Sequence, residues 1–399
     1  MNFRSKPPVP APAAPNSPTR YIMVGGFLGS GKTTVIARLA RWLSARGLRV
    51  GLIMNDQGAN LVDTTLLRSQ GFATEEITGG CFCCRFNSLL DAARKLGEGA
   101  RPDVIIAEPV GSCTDLIATV SYPLRRLYGE DFTVAPVSVM VDPIRALRVF
   151  GLAPGANFSD KVVYIYMKQI EEADLVVIGK SDLLDQAALT ALRAAISARF
   201  PGKQILSVSA RNNLNLEGWF ESLLRKEQRG TTTLDVDYAA YADGEARLGW
   251  LNSATVLKSR RAFDPNVLLR DFAVTLQGRL RAAKAEVAHL KATLKPDSGL
   301  GEVGIINLVR NDFAPEAGLR LEEPATGGEL ILNLRAEAPP EVLEAAFRDT
   351  VGAITAAHPG LKTKVDHFEC FQPGKPVPTH RLYEEPAAKP GASASVAKA

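Results

Sequence analysis

The stretch Gly26-Phe-Leu-Gly-Ser-Gly-Lys32-Thr33 fits the pattern G-x-x-x-x-G-K-[ST] of a phosphate-binding loop. Its surroundings fit as well. Tyr21–Val24 reads as a short buried strand, and Thr34–Ser44, with Val35, Ile36, Leu39, Ala40 and Leu43 at helical spacing, reads as a helix. A strand, a glycine turn and a helix start together aim backbone N–H groups and a helix dipole at an anion. Gly26, Gly29, Ser30, Gly31 and Thr34 are therefore candidate phosphate-cradle residues. Lys32 is placed to reach the outer phosphates, and Thr33 to hold Mg²⁺ through its hydroxyl.

Outward from this loop, apolar runs alternate with helical patterns to about Arg225. The runs are Tyr21–Val24, Val50–Met54, Val104–Ala107, Val134–Val141, Leu175–Ile178 and Gln204–Val208. Continuous apolar strands between helices predict a parallel sheet covered on both faces, with ligands at the carboxyl ends of its strands. After a polar connector over 226–247, a second pattern begins. It has strands at Leu251–Leu257, Val303–Val309, Glu329–Leu334 and Lys362–Phe371, and helices from Asn266 to about Lys295 and over Pro340–Ala356. The order β-α-β-β-α-β predicts a ferredoxin-like sandwich. The expected fold is α/β: a P-loop NTPase domain with a mostly parallel sheet (20–225) and a smaller α+β ferredoxin-like C-terminal domain (248–385). The proline-rich first nineteen residues and the stretch 386–399 are expected to be disordered.

The 399 residues carry 47 basic and 43 acidic side chains, a net charge of +4, too balanced to argue for nucleic acid or a membrane surface. No secretion signal is legible, and the five cysteines are odd in number with three crowded together. Reduced thiols and a cytoplasmic location are the expectation.

That crowding is the second motif, Gly79-Gly80-Cys81-Phe82-Cys83-Cys84. Thiolates are soft ligands that favour Zn²⁺ and related ions. Adjacent Cys83 and Cys84 do not easily share one ion, whereas Cys81 and Cys83 do. The segment supplies fewer than the four ligands of a structural zinc site, which suits transient binding. The third motif, Asp103-Val-Ile-Ile-Ala-Glu108-Pro-Val-Gly111, is a buried strand ending in a carboxylate and then a glycine. Glu108 is a candidate for positioning the attacking water or holding Mg²⁺, and Gly111 for sensing a γ-phosphate through its N–H. The fourth, Gly179-Lys180-Ser181-Asp182, follows an apolar run. Its carboxylate can accept two hydrogen bonds from a guanine edge, which adenine does not offer. Ser209 and Ala210, after the next strand, are candidates to add backbone N–H groups. His367, Glu369, Cys370 and His380 form a weaker candidate for a second metal site.

These motifs together resemble the CobW-related metallochaperone GTPases, P-loop proteins of the SIMIBI class. The resemblance covers residues 20–225 through its motifs and the remainder by pattern only. It implies guanine-nucleotide binding, Mg²⁺-dependent GTP hydrolysis, and a Zn²⁺ or Co²⁺ site linked to nucleotide state and serving a client metalloprotein. Carried across, Lys32 and Thr33 resemble the phosphate and Mg²⁺ residues, and Cys81, Cys83, Cys84 and Asp56 the transition-metal residues. Glu108 resembles the hydrolysis-site carboxylate, and Lys180 and Asp182 the base readers. The chain departs from the family pattern in three places. Gly179 stands where Asn is usual, Asn55-Asp56-Gln57-Gly58 stands where Asn-Glu-x-Gly is usual, and the four histidines are not clustered. Two other readings remain: a GTPase that activates a cobalamin-dependent or other metalloenzyme without carrying metal, and a small-molecule kinase built on the same loop.

Overall fold

The computed structural model describes residues 17–56, 64, 67–68, 70–98, 100–228, 233–297 and 301–383. The expected disorder of the first residues and of 386–399 falls almost wholly outside them. The first domain holds eight strands: β1 (Thr19–Gly26), β2 (Val50–Asn55), β3 (Ala73–Ile77), β4 (Val104–Glu108), β5 (Phe132–Val134), β6 (Ser138–Val141), β7 (Leu175–Ile178) and β8 (Gln204–Ser207). They form one parallel sheet in the order β3-β2-β4-β1-β6-β7-β8, with β5 pairing beside β6 on β1. The single run expected over Val134–Val141 is two strands. Pro136, which has no N–H to give a ladder, lies between them.

Helices cover both faces of this sheet. On one lie α1 (Lys32–Ser44) and a helix at Leu216–Arg225, whose Leu39, Leu43, Trp219 and Phe220 pack on Ile22, Val24 and Leu52. On the other, a helix at Phe86–Leu96 presents Phe86, Leu89 and Leu90, and one at Asp160–Glu172 presents Val162, Tyr166 and Ile170. Among the described residues no helix is long and apolar enough to cross a membrane.

The connector expected over 226–247 is partly helical. Tyr238–Arg247 forms a helix capped by Asp237, whose carboxylate accepts the Ala239 and Ala240 N–H groups at 2.8 and 3.1 Å. It packs on the Asp160–Glu172 helix.

The second domain is an antiparallel sheet ordered β12-β11-β10-β13-β9-β14. Its strands are β9 (Leu248–Phe263), β10 (Glu286–Pro296), β11 (Gly304–Leu308), β12 (Glu316–Leu319), β13 (Ala325–Glu337) and β14 (Leu361–Phe371). Helices Pro265–Ala282 and Pro340–Ala357 cover one face, where Phe272, Leu276, Leu280 and Phe347 meet Leu290, Leu332 and Leu334. The inner order β14-β9-β13-β10 with its two crossing helices is ferredoxin-like, and β11 and β12 extend its edge.

One expectation needs correction here. The helix expected from Asn266 to about Lys295 ends at Ala282. Lys284 takes a left-handed φ of 57°, and the chain turns into β10, where Leu290, Ala292 and Leu294 alternate inward. The strand expected at Val303–Val309 is therefore an addition to the sandwich, and β10 is its second strand.

Candidate nucleotide pocket and thiol cluster

The phosphate loop leaves β1 at the point where the sheet order reverses, with β4 on one side and β6 on the other, the position where open α/β sheets bind ligands. Gly29 and Gly31 take φ of 76° and 96°, which bends the loop over the start of α1. A cavity of about 460 Å³ opens there. It is lined by Gly29, Ser30, Gly31, Lys32, Thr33, Thr34, Asp56, Glu108, Gly111, Lys180, Asp182 and Ala210. Most of the sequence-derived candidates thus share one wall. Two do not. Gly26 lies behind it against β6, and the Ser209 N–H is spent on Leu214 O at 3.1 Å, within its own turn.

Lys32 Nζ lies 3.7 Å from Glu108 Oε1 and donates to Phe27 O at 3.3 Å. Thr33 Oγ1 donates to Glu108 Oε2 at 3.1 Å. The carboxylate at the end of β4 therefore sits between the two side chains expected to hold phosphate and Mg²⁺. Just beyond, Gly111 passes so close to the loop that a Cβ on it would lie 3.1 Å from Leu28 N and 2.7 Å from Leu28 Cδ2. A side chain at this position would force Leu28 to shift.

At the end of β7, Lys180 Nζ ties the phosphate loop to the sheet, donating to Gly29 O at 2.7 Å and to Asp142 Oδ2 at 2.8 Å. Asp142 lies at the end of β6 and was not among the sequence candidates, although it carries the signal that marked Glu108. Its burial disfavours the charge, but Lys180, the Arg145 N–H and Arg145 outweigh this and hold the carboxyl below its usual value. Gly179 is packed: a Cβ would lie 2.8 Å from Met140 Cε and 3.2 Å from Ser30 O. The departure from Asn at this position goes with a close approach of the β7 end to the phosphate loop.

The C-terminal domain closes the pocket. Trp250, His289, Lys291, Val309 and Arg310 line it. Buried Arg310 pairs with Asp142 at 3.2 Å, and Arg145 Nη2 donates to Val309 O at 2.5 Å. Asp56 is held by Arg335 at 2.9 Å, and that guanidinium stacks 3.9 Å above Trp250. Gln57 and Gly58 lie outside the described residues.

The cysteines form their own cluster. The sulfurs of Cys81, Cys83 and Cys84 all lie within 4.8 Å of one another. They are 2.6 Å apart for Cys81–Cys83, 3.2 Å for Cys81–Cys84 and 3.6 Å for Cys83–Cys84. Asp56 is not part of this group. A further buried thiol that sequence reasoning did not single out, Cys113, lies in the same core and helps pull the Cys81 thiol below its ordinary value. The neighbouring thiols, Cys113 first, pull the Cys81 thiol well below its ordinary value, while Cys84, which accepts from Cys81 Sγ, is pushed up to about 11 chiefly through that contact. Three soft donors within 4.8 Å of one another suit Zn²⁺ and similar ions.

The weaker histidine site does not assemble. His367 and Glu369 face each other on β14 at 3.5 Å, Cys370 donates to Pro340 O, and His380 sits edge-on to Phe86 with ring centroids 5.1 Å apart. Among the described residues the three thiols of the Cys81–Cys84 loop are the only such group of metal-binding side chains.

Fold, phosphate loop and carboxylate define a P-loop nucleotide-binding protein. Residues 20–207 match the family model CobW/HypB/UreG, nucleotide-binding domain, and this part of the chain belongs to that family. A zinc chaperone CobW from Sinorhizobium sp is 33% identical over 214 residues, covering 48% of this chain and 58% of the relative. A zinc chaperone YeiR from Escherichia coli is 30% identical over 175 residues, covering 41% and 47%. The chain spans about half the length of the curated relatives it matches. Among solved structures, Zn(II)-bound YjiA GTPase from E. coli aligns over 84% of this chain and 99% of its own, at 15% identity and a TM-score of 0.35.

Proposed function

We propose that this chain is a GTPase whose nucleotide state controls capture and release of zinc for a client metalloprotein. The observation that carries this reading is a single short segment. Glu108 touches Thr33 at the phosphate loop, Gly111 packs on Leu28, and the same loop runs on into the thiol cluster. A γ-phosphate contacting the Gly111 N–H would thus act a few residues from the zinc-binding sulfurs. The zinc chaperones and metalloprotein activators among the relatives support zinc as cargo.

In this reading the N–H groups of the Gly29–Thr33 turn bind the phosphates and Lys32 neutralises the outer ones. Asp182, at the rim of the pocket, accepts the guanine edge. Thr33 and Glu108 offer two hard oxygens 3.1 Å apart, a donor set that fits Mg²⁺. When bound, that ion neutralises charge on the β- and γ-oxygens. Glu108 leaves Lys32 as nucleotide enters and orients water. The thiol cluster takes zinc with loss of S–H protons, so binding weakens as pH falls.

Steady-state GTP hydrolysis and zinc titration test the two halves. GTP turnover that depends on Mg²⁺ and is lost in Lys32→Ala, with zinc binding lost in Cys83→Ser, is the expected pattern. Zinc-free thiols in the reduced protein would favour instead a GTPase that activates its client without carrying metal, and phosphoryl transfer from ATP to a small acceptor would favour the kinase reading.

A further inference from the structure

We propose that Gln169 is a positioning residue for the γ-phosphate contact: its side-chain amide pins the turn that carries Gly111 against the phosphate loop. The inference rests on the GTPase reading and says what holds the sensing loop in place. The close approach at Gly111, where a Cβ would lie 3.1 Å from Leu28 N, favours a residue without a side chain. Such a residue is also the one whose backbone turns most freely. An N–H that reads a γ-phosphate needs a fixed direction. The Cys113 N–H closes a turn on Val110 O at 2.9 Å, with Gly111 and Ser112 between them, and that turn has to be held from outside.

Gln169 holds it. Its Nε2 donates to Gly111 O at 3.0 Å and to Cys113 O at 2.8 Å, so both donors of the amide serve one turn. The side chain is buried, and a flipped amide would set its oxygen against two carbonyls, so its orientation follows from its partners. One helical turn further along the same face, Glu172 Oε2 accepts the Leu116 N–H at 2.7 Å. The connector helix adds Glu245, whose carboxyl accepts the Ser112 hydroxyl at 2.6 Å. The segment from Gly111 to Leu116 is thereby gripped at three points by two helices packed on each other, Asp160–Glu172 and Tyr238–Arg247. Of the three side chains, Gln169 is the one that bonds Gly111 itself.

A purely structural role is the competing account, since buried polar groups are ordinarily hydrogen-bonded. The two accounts differ in what they do to the two nucleotides. Gln169→Met keeps the length of the side chain and removes both donors. Binding of GDP and of a non-hydrolysable GTP analogue to the full-length chain in Mg²⁺ then separates the accounts. The variant should bind the analogue at least about fivefold more weakly, the net contribution of one hydrogen bond. It should turn GTP over with a lower kcat and bind GDP like the unaltered chain. Equal loss for both nucleotides, or no loss for either, would overturn the proposal while leaving the GTPase reading intact. Where Gln169→Met does not fold, Ser112→Ala removes one hydroxyl and frees the same turn from Glu245. Weaker binding of the analogue alone would then support the proposal, and an unchanged ratio of the two affinities would overturn it. Absence of GTP turnover in the unaltered protein would overturn both the proposal and the reading beneath it.

Discussion

At the scale of single residues, the charges around the phosphate loop are already paired, and their pairing sets what substitutions do. Lys32→Ala removes the cation beside Glu108 and should slow GTP turnover on the order of 10²–10³-fold, the range for losing one preorganised electrostatic donor. Asp182→Ala should weaken GTP binding by about 1.5–3 kcal/mol, the contribution of hydrogen bonds to a charged group, and leave ATP binding unchanged. Equal losses for both nucleotides in a competition assay would remove Asp182 as base reader. Glu172 gives a pH dependence. Burial, then the charge of Asp115, pushes its carboxyl from 4.5 up to about 8, against the N–H groups of Leu116 and Ile117 and the Thr114 hydroxyl. The folded chain then keeps a proton that the unfolded chain has lost. Stability from this group therefore falls as pH rises between about 4.5 and 8, and Glu245 adds a slope of the same sign. Urea midpoints measured across that range should decline less steeply in Glu172→Gln; an unchanged slope would contradict the assignment.

Among the elements, the segment after β14 shows what burial alone does not. Residues 372–383 cross the cysteine loop. Thr379 N donates to Cys83 O at 2.8 Å, and Val377 N to Cys84 Sγ at 3.3 Å. Arg381 reaches buried Asp115 at 2.6 Å. Arg381→Ala leaves Asp115 with only the Tyr238 hydroxyl as side-chain partner, a loss of about 1–3 kcal/mol in urea unfolding. It should also speed reaction of Cys84 with a thiol reagent, because the covering segment loses its anchor. A wild-type midpoint with unchanged thiol reactivity would show that the segment holds without this pair.

What the sequence disclosed follows from where each element's signal lies. β1, β2, β4 and β7 are buried on both faces and read as apolar runs. β3, Ala73-Thr-Glu-Glu-Ile, is a sheet edge with half-exposed Glu75 and Glu76, so no such run marks it. β10 was hidden because Ala and Lys carry the helical pattern past Ala282, and the break depends on one backbone angle at Lys284. In the site, the phosphate loop and the Cys81–Cys84 segment are local in sequence and were legible. Cys113, Asp142 and Arg335 join them only through tertiary approach. Of these, Cys113 lay in reach of pattern reading, two residues beyond Gly111 on a loop already marked.

On the scale of the whole molecule, two domains meet at the nucleotide pocket. Arg335 holds Asp56, Arg310 holds Asp142, and the phosphate loop lies under Ala288 and Val309, where a Cβ on Gly29 would come within 2.9 and 3.1 Å of them. In the proposed reading these contacts link nucleotide binding to the position of the C-terminal sheet, and the loop carrying Glu108 and Gly111 carries the link towards the thiols. If the γ-phosphate changes zinc affinity, as proposed, zinc changes the affinity for the nucleotide by the same factor. The most direct test of this account is zinc titration of the reduced protein in Mg²⁺, once with a non-hydrolysable GTP analogue and once with GDP. A difference in zinc affinity of at least about fivefold between the two nucleotide states is predicted, the lower end of ordinary coupling between sites; equal affinities would contradict it.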